Sequence, residues 1–144
     1  MGKYANGQYQ LKHPEKYAGK KSPTYRSSWE NTVMNMLDNN PAIKQWASEA
    51  IHVNYRNPFT GKNTIYVPDF FVMYEDKNGV QHAEIWEVKP SKETTLEAAK
   101  SMRDKAAVML NQAKWQAAQA YCAQQGLKFR ILTEADIFHQ SKAK

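Results

Sequence analysis

Three charged side chains interrupt or end two apolar segments, and their spacing could serve phosphodiester hydrolysis. Asp69 lies inside the apolar segment Ile65–Tyr74, while Glu87 and Lys89 lie at the end of a second apolar segment, Ala83–Val88. Charged residues at the ends of otherwise buried strands usually mark a site. The pattern is therefore typical of a metal-dependent nuclease centre.

Hydrolysis of a phosphodiester needs an activated water and a positive charge near the non-bridging oxygens. Mg²⁺ supplies both, and it prefers a few carboxylates with several retained waters. Asp69 and Glu87 on neighbouring strands would hold it, with the main-chain carbonyl of Val88 as a further ligand. Because Glu87 and Lys89 are two residues apart, they project from one face of a strand. The Lys89 ammonium would then orient or deprotonate the attacking water, or neutralise the developing charge.

Two alternatives stand beside this interpretation. Glu-x-Lys triplets are common, so Glu87 and Lys89 alone could be surface neighbours beside an unrelated Asp69; the apolar segments around them favour the site. Glu30 has two explanations. It lies three residues after Ser27, which predicts a capping box at a helix start. From that helix, its carboxylate could also reach the metal, so catalysis and capping both stay open.

The elements that would position these residues follow from periodicity and turn chemistry. The predicted order is α-β-β-β-α-β with a short C-terminal helix, an α/β class with a mixed α+β sheet. A short turn or helix is predicted over Ile43–Ser48, between the first helix and the first strand. The predicted elements are a helix from Ser27 to the Asn39–Pro41 stop, strands Ala50–Tyr55, Thr64–Tyr74 and Gln81–Val88, a helix from Thr94 or Thr95 to Gly126, a strand Leu127–Thr133 and a short helix ending at Phe138. The turn Lys77-Asn78-Gly79 suits a hairpin, since Asn and Gly accept positive φ.

Length and charge indicate a single basic domain, and its charge fits either a nucleic-acid partner or an ordinary, mildly basic soluble protein. The 144 residues fit a single domain over residues 26–144, preceded by a basic N-terminal arm over residues 1–25. Twenty Lys and Arg against 14 Asp and Glu give a net charge of +6, which favours nucleic acid. The arm would lie along phosphates or form a solvated tail. The candidate DNA-binding residues are Lys20, Lys21, Arg26, Gln112 and Lys114, and ordinary helix-surface polarity is the alternative for Gln112 and Lys114.

The sequence also excludes several classes of protein. The single Cys122 rules out an intramolecular disulfide and a cysteine-based zinc site. There is no signal-peptide pattern and no apolar segment of membrane-spanning length, so we expect a soluble, intracellular protein without a membrane partner.

At these residues the chain resembles the PD-(D/E)XK nuclease superfamily. Pro68-Asp69 matches its PD element, and Glu87-Val88-Lys89 matches its (D/E)XK element. A closer resemblance, to the head completion nucleases of myovirus-type tailed bacteriophages, covers nearly the whole chain. It rests on the segments His13–Tyr17, Tyr25–Ser27, Gln45–Glu49, Pro68–Phe70, Glu87–Pro90 and Asn111–Trp115.

The resemblance implies a restriction-endonuclease-like core and a Mg²⁺-dependent DNA endonuclease, with Mn²⁺ as a substitute. It implies double-stranded DNA as substrate, portal or head proteins as partners, and action after DNA packaging and before tail joining. The place of action would be the host cytoplasm during assembly, or the virion itself. Three rivals stay open: a structural DNA-binding assembly protein with idle nuclease residues, a transposition endonuclease, and a restriction-type enzyme or junction resolvase. The oligomeric state is left open.

Overall fold

The computed structural model describes residues 6–139, which form eight strands and three α-helices. Two short 3₁₀ turns, Pro14–Lys16 and Ser91–Glu93, join them. In chain order the elements are β1 (Gly7–Gln8), β2 (Thr24–Tyr25), α1 (Ser28–Asn39), β3 (Ile43–Ser48), β4 (Val53–Arg56), β5 (Asn63–Tyr66), β6 (Phe70–Glu75), β7 (Gln81–Val88), α2 (Met102–Gln125), β8 (Lys128–Leu132) and α3 (Glu134–His139).

A four-stranded mixed sheet in the order β3-β6-β7-β8 forms the centre of the fold. β6 is antiparallel to both β3 and β7, whereas β7 and β8 are parallel. The β6–β7 hairpin turns at Gly79, whose φ of 80° is a left-handed conformation that glycine adopts without strain. Helix α2 makes the crossover that parallel strands require. The predicted mixed α+β class, the hairpin and the third strand, Gln81–Val88, are confirmed.

The segment Ile43–Ser48 is a strand, and the predicted turn or helix there is wrong. It pairs with β6 along its length, with a register shift between Ile43 and Gln45. Trp46, predicted to point inward, is fully buried and packs edge-on against Tyr17. Pairing with β6 supplies the backbone hydrogen bonds that a helix would have made locally, so tertiary packing overrides the local pattern.

The predicted strand Thr64–Tyr74 is divided between two sheets. β5 pairs with β4 in a separate two-stranded ribbon, and β6 pairs with β3 and β7. Pro68 lies between them and cannot donate to a ladder, so the chain leaves one sheet there and enters the next. Only the first part of the predicted strand, β5, therefore pairs with the strand before it, β4, and the two are antiparallel.

Helix α2 begins at Met102, seven or eight residues later than predicted. The hydroxyl of Ser101 caps it by accepting a hydrogen bond from the Asp104 N–H at 3.0 Å. The chain before it is tied down elsewhere, since the Asn111 side chain donates to the Glu93 carbonyl at 3.3 Å. The buried residues of the helix are Val108, Asn111, Trp115, Ala118 and Cys122. Gly126 ends it in a left-handed conformation, as predicted.

The core lies on both faces of the central sheet. On one face, Val33 and Leu37 of α1 and Ile137 of α3 pack against Phe70 and Trp86. On the other face, a smaller cluster joins α2 to the β4–β5 ribbon; its buried members are Val53, Tyr66, Trp115 and Ala118. The three layers place the ends of β6 and β7 between the start of α1 and the middle of α2.

The predicted N-terminal arm contacts the core through Tyr9 and Tyr17, which both pack edge-on against Trp46. β1 pairs with β2, whereas Lys20 and Lys21 between them are exposed. The domain boundary at residue 25 stays a prediction, and residues 1–5 and 140–144 lie outside the described residues. No helix within residues 6–139 is long and apolar enough to cross a membrane.

Candidate active site

Asp69 and Glu87 meet across the β6–β7 pair. Phe70 is opposite Trp86 in the antiparallel register, so the next residues along, Asp69 and Glu87, lie opposite each other. One Asp69 oxygen, Oδ2, accepts a hydrogen bond from the Val88 N–H at 2.8 Å. Glu87 is 6% exposed, whereas Asp69 keeps partial contact with solvent. The interruption at Pro68 and the end of β7 thus bring two carboxylates to one end of the sheet.

Glu30 reaches the same place from the first turn of α1. The Ser27 hydroxyl accepts a hydrogen bond from the Glu30 N–H at 3.1 Å, which is the predicted cap. The return bond of the capping box runs to a different partner: Glu30 Oε1 accepts from the Arg26 N–H, also at 3.1 Å. One Glu30 oxygen is therefore hydrogen-bonded at the start of the helix. The negative charge of the carboxylate also acts on Asp69 and is attracted by Lys89.

Three carboxyl groups at this place have raised pKa values. Burial, then the negative charges of Glu87 and Glu30, raise the pKa of Asp69 well above its ordinary value, against the Val88 N–H and the Lys89 ammonium. Burial raises the pKa of Glu87. Burial also raises the pKa of Glu30, although the Arg26 N–H opposes it. Burial and crowding make ionisation of these carboxyl groups costly, and a bound cation would lower that cost.

Two lysines supply positive charge beside these carboxylates. The Lys89 N–H donates to the Leu132 carbonyl at 2.9 Å, which continues the β7–β8 pairing, and its ammonium lies 4.0 Å from the Glu93 carboxylate. Lys114 of α2 is half-buried above the Tyr66 ring, with its ammonium 5.7 Å from the ring centre. Burial and the neighbouring Lys89 lower the pKa of Lys114, whereas Glu87 raises it.

Tyr66 and Trp115 form the buried wall next to Glu87, and neither was predicted as a site residue. Tyr66 Oη, Trp115 Nε1 and Glu87 Oε1 are all buried without a hydrogen-bond partner among the described residues. Burial, followed by the negative charge of Glu87, raises the pKa of Tyr66. The position of Tyr66 three residues before Asp69 was the only sequence signal for it.

Glu49 is a further carboxylate that sequence reasoning missed. It follows β3 with a φ of 53°, a left-handed conformation that is uncommon for a residue other than glycine. Its N–H donates to the Asp69 carbonyl at 2.9 Å, and its carboxylate pairs with Arg26 at 3.2 Å. Its negative charge contributes to the raised pKa of Glu30. The backbone strain is held by these contacts at the edge of the site.

The predicted site residues divide into two sets. Electrostatic coupling links the first set; its members are Glu30, Asp69, Glu87, Lys89 and Lys114. The predicted DNA-binding residues Lys20 and Lys21 are exposed on the segment before β2, and Gln112 is exposed on α2. Arg26 is exposed and held by Glu49. The roles assigned to all of these residues stay predictions.

The donor set fits a divalent cation that keeps much of its own hydration. Within residues 6–139 no three His, Cys, Asp or Glu side chains are arranged to hold a metal ion by themselves. Two carboxylates with retained waters and substrate phosphates are, however, the usual protein contribution for Mg²⁺. Asp69 and Glu87 meet that requirement, and the unpartnered, buried Glu87 Oε1 is an acceptor without a donor.

A mixed sheet with paired carboxylates and a lysine at the ends of two antiparallel strands defines a nuclease class, the PD-(D/E)XK or restriction-endonuclease-like proteins. The family model for the TnsA-like endonuclease N-terminal domain matches residues 40–134. The chain is also 35% identical over 140 residues to the head completion nuclease of Enterobacteria phage T4, covering 90% of this chain and 91% of that protein. The chain belongs to this family of TnsA-like nucleases, and the predicted superfamily and head completion resemblance are confirmed.

Proposed function

We propose that the protein is a divalent-metal-dependent DNA endonuclease that completes phage heads after DNA packaging and before tail joining. The observation that supports it best is the position of Asp69 opposite Glu87 at the end of β7, with Lys89 two residues after Glu87. The proposed substrate is double-stranded DNA, and the proposed ion is Mg²⁺, with Mn²⁺ as a substitute. The similarity to the T4 nuclease over nearly the full length of both chains supports the proposed stage of assembly.

Asp69 and Glu87 would hold the metal ion, with the Val88 carbonyl as a further ligand. When bound, such an ion supplies a positive charge to a phosphate oxygen and lowers the pKa of water. The Val88 N–H bond to Asp69 Oδ2, at 2.8 Å, keeps the Asp69 carboxylate facing the end of β7. The buried position of Glu87 restricts its rotamers, so both carboxylates are held before substrate arrives.

Lys89 would place its ammonium beside the attacking water and the scissile phosphate. It lies two residues after Glu87 on the same strand, so the sheet determines which way it points. Lys114 would add a second positive charge from α2, against the same phosphate. Glu30 would orient the hydration of the site, while Lys20, Lys21, Arg26 and Gln112 would contact the DNA around it.

A cleavage assay on linear and circular double-stranded DNA tests this proposal. With Mg²⁺ the wild-type protein should cut both, and chelation should abolish cutting. Asp69→Asn or Lys89→Ala should lower the rate by about a hundredfold or more, because each removes a group that acts on the reacting phosphate. Thermal unfolding of each variant checks that the fold is kept.

Two exposed residues provide matched controls for the same chemical changes. Asp104→Asn removes a carboxylate from the start of α2, and Lys92→Ala removes an ammonium three residues after Lys89. Both should cut at the wild-type rate. Full cutting by folded Asp69→Asn or Lys89→Ala would refute the active-site assignment, and absence of cutting with every divalent metal would favour the structural DNA-binding role.

A transposition-type endonuclease is the second candidate, because the family model that matches residues 40–134 carries the TnsA-like name. Such an enzyme would need a partner protein before it cuts. Cutting by the purified chain alone favours the head completion enzyme. Cutting only after addition of a partner protein favours the second candidate.

A further inference from the structure

The β4–β5 ribbon projects from the base of the candidate active site and pairs with no strand of the central sheet. Its strands are β4, Val53–Arg56, and β5, Asn63–Tyr66. At the base of the ribbon, the Glu49 N–H donates to the Asp69 carbonyl at 2.9 Å. This hydrogen bond joins the chain just before the ribbon to the chain just after it. The base of the ribbon therefore lies next to Asp69.

One face of the ribbon is packed and the other is open. Val53 and Tyr66 are opposite each other in the register and are buried against α2. The alternate pairs are Asn54 with Ile65 and Arg56 with Asn63, and all four side chains are exposed; Ile65 is 58% exposed. These pairs offer amide and guanidinium groups beside an aliphatic side chain to a partner.

The tip of the ribbon is rigid and carries an exposed aromatic ring. The Asn57 side chain accepts hydrogen bonds from the Phe59 N–H at 2.8 Å and from the Thr60 N–H at 3.3 Å. The Asn57 carbonyl accepts from the Gly61 N–H at 2.8 Å, and Gly61 has a φ of 71° that makes the turn. Phe59 is nevertheless 55% exposed. The turn thus holds an apolar ring in solvent with no contribution to the core.

The charged and polar residues of this segment indicate which kind of partner it binds. Residues 51–67 contain no Asp or Glu, although they include Arg56, Lys62 and His52. Three asparagines, at 54, 57 and 63, add amide groups that can bond to base edges. A surface that lacks carboxylates and combines cations, amides and an aromatic tip is complementary to nucleic acid.

We infer that the β4–β5 ribbon enters the major groove of duplex DNA and seats the substrate on the active site. A major groove about 12 Å wide accepts a two-stranded ribbon. The depth of the groove is about 8.5 Å, and four strand residues span roughly 13 Å. The ribbon is therefore long enough to reach the floor of the groove. Asn54, Arg56 and Asn63 face the base edges, Lys62 contacts a phosphate, and Phe59, at the tip of the ribbon, packs at the floor of the groove. This inference rests on the proposed function for its substrate, and it adds how that substrate is held.

Duplex binding without divalent metal tests the ribbon separately from catalysis. Fluorescence anisotropy with a labelled 20-base-pair duplex should show that Arg56→Ala/Phe59→Ala weakens binding by about tenfold or more, since two contacts to the groove are lost. The matched control is Lys77→Ala/Val80→Ala, which alters an exposed cation and an exposed apolar residue at the β6–β7 turn. The control should bind within about twofold of the wild type. Wild-type affinity of the Arg56/Phe59 variant would overturn the inference and assign the ribbon to another partner.

Protection of guanine N7 from dimethyl sulfate shows which groove is occupied. The wild-type protein should protect guanines on the duplex, and Arg56→Ala/Phe59→Ala should not. Binding that leaves N7 reactive, or equal affinity for single-stranded DNA, would overturn the major-groove assignment. Should thermal unfolding show that the double variant is not folded, Lys62→Glu at the exposed tip makes the same comparison.

The two proposals fail in different ways. If the wild-type protein cuts DNA but the ribbon variant binds duplex normally, the ribbon inference is wrong and the proposed function stands. If the wild-type protein cuts nothing but the ribbon variant loses duplex binding, the proposed function is wrong and the ribbon remains a DNA-binding element.

Discussion

Asp38 is a fully buried carboxylate that fastens the N-terminal segment to α1. Its oxygens accept hydrogen bonds from the Tyr9 hydroxyl at 2.8 Å, the Lys12 N–H at 2.8 Å and the His13 N–H at 3.0 Å. Burial by itself would raise the pKa of Asp38, but the three donors outweigh burial and hold the pKa below its ordinary value. One side chain therefore determines where the predicted arm lies.

Asp38→Asn should lower the free energy of unfolding by about 2 kcal/mol at pH 7, because an amide offers one acceptor oxygen to three donors. Since the pKa of Asp38 is lower in the folded state, its stabilisation is complete above the pKa of the unfolded chain. The stabilisation is lost as the pH falls through the folded pKa. Chemical denaturation between pH 7 and pH 3 should therefore show the two proteins converging at acid pH.

The exposed carboxylate of Glu97 provides the control for Asp38. Glu97→Gln removes the same charge from the loop before α2, and it should change the free energy of unfolding by less than about 0.5 kcal/mol. A difference between wild type and Asp38→Asn that stays constant from pH 7 to pH 3 would contradict the role of the ionised carboxylate.

At the scale of elements, the start of α1 combines a cap with a candidate catalytic group. The Ser27 hydroxyl bonds to the Glu30 N–H, and the Glu30 carboxylate bonds to the Arg26 N–H. The two explanations that the sequence left open for Glu30 are therefore compatible, because different atoms serve them. Substitutions at these two positions can separate them.

Ser27→Ala should lower the free energy of unfolding by about 1 kcal/mol and leave cleavage near the wild-type rate, since the Glu30 carboxylate is kept. Glu30→Gln keeps an oxygen for the Arg26 N–H, so its stability should stay near wild type. Its cleavage rate should fall by about 10- to 100-fold, because the charge near Asp69 is removed. Chemical denaturation and the plasmid cleavage assay give the two readouts.

An unchanged cleavage rate in Glu30→Gln would show that Glu30 has only a structural role at the start of the helix. In that case Glu30→Gln would cut DNA at the wild-type rate, and the loss of stability in Ser27→Ala would be the only effect at this helix start. Thr32→Ala, later in α1, is the control for removal of a helical hydroxyl without loss of the cap.

At the scale of the whole molecule, the net charge of +6 predicts salt-sensitive binding to DNA. Lys20 and Lys21 are exposed on the segment before β2, and Arg26 lies at the start of α1 beside Glu49. Phosphate contacts release counterions, so each one steepens the dependence of binding on salt. The slope therefore distinguishes a phosphate-binding segment from a solvated one.

Replacing both Lys20 and Lys21 by alanine should reduce the slope of log binding constant against log salt by about 2, because two phosphate contacts are lost. Anisotropy titrations of the duplex from 50 to about 200 mM salt measure it. Lys77→Ala, at the far end of the β6–β7 hairpin, should leave the slope unchanged. An unchanged slope in the Lys20/Lys21 variant would show that this segment is a solvated surface.

Features that depend on a few adjacent residues were determined by the sequence itself. The turn at Gly79, the Ser27 cap and the left-handed Gly126 follow from capping chemistry or positive φ. Each needs only local interactions, so the adjacent residues are enough to predict it. The limits of the strand Gln81–Val88 were predictable from the turn before it and from Pro90 after it. The approach of Asp69 to Glu87 was also predictable, because the hairpin between them is short.

Only the tertiary structure decided which segments pair and which distant side chains share the site. Ile43–Ser48 is a strand because β6 supplies its hydrogen bonds. The Thr64–Tyr74 segment is divided because its first part pairs with β4, whereas its second part pairs with β3 and β7. Glu49, Tyr66 and Lys114 come to the site from three separate elements. Their positions depend on packing across α2 and the ribbon, which no local pattern encodes.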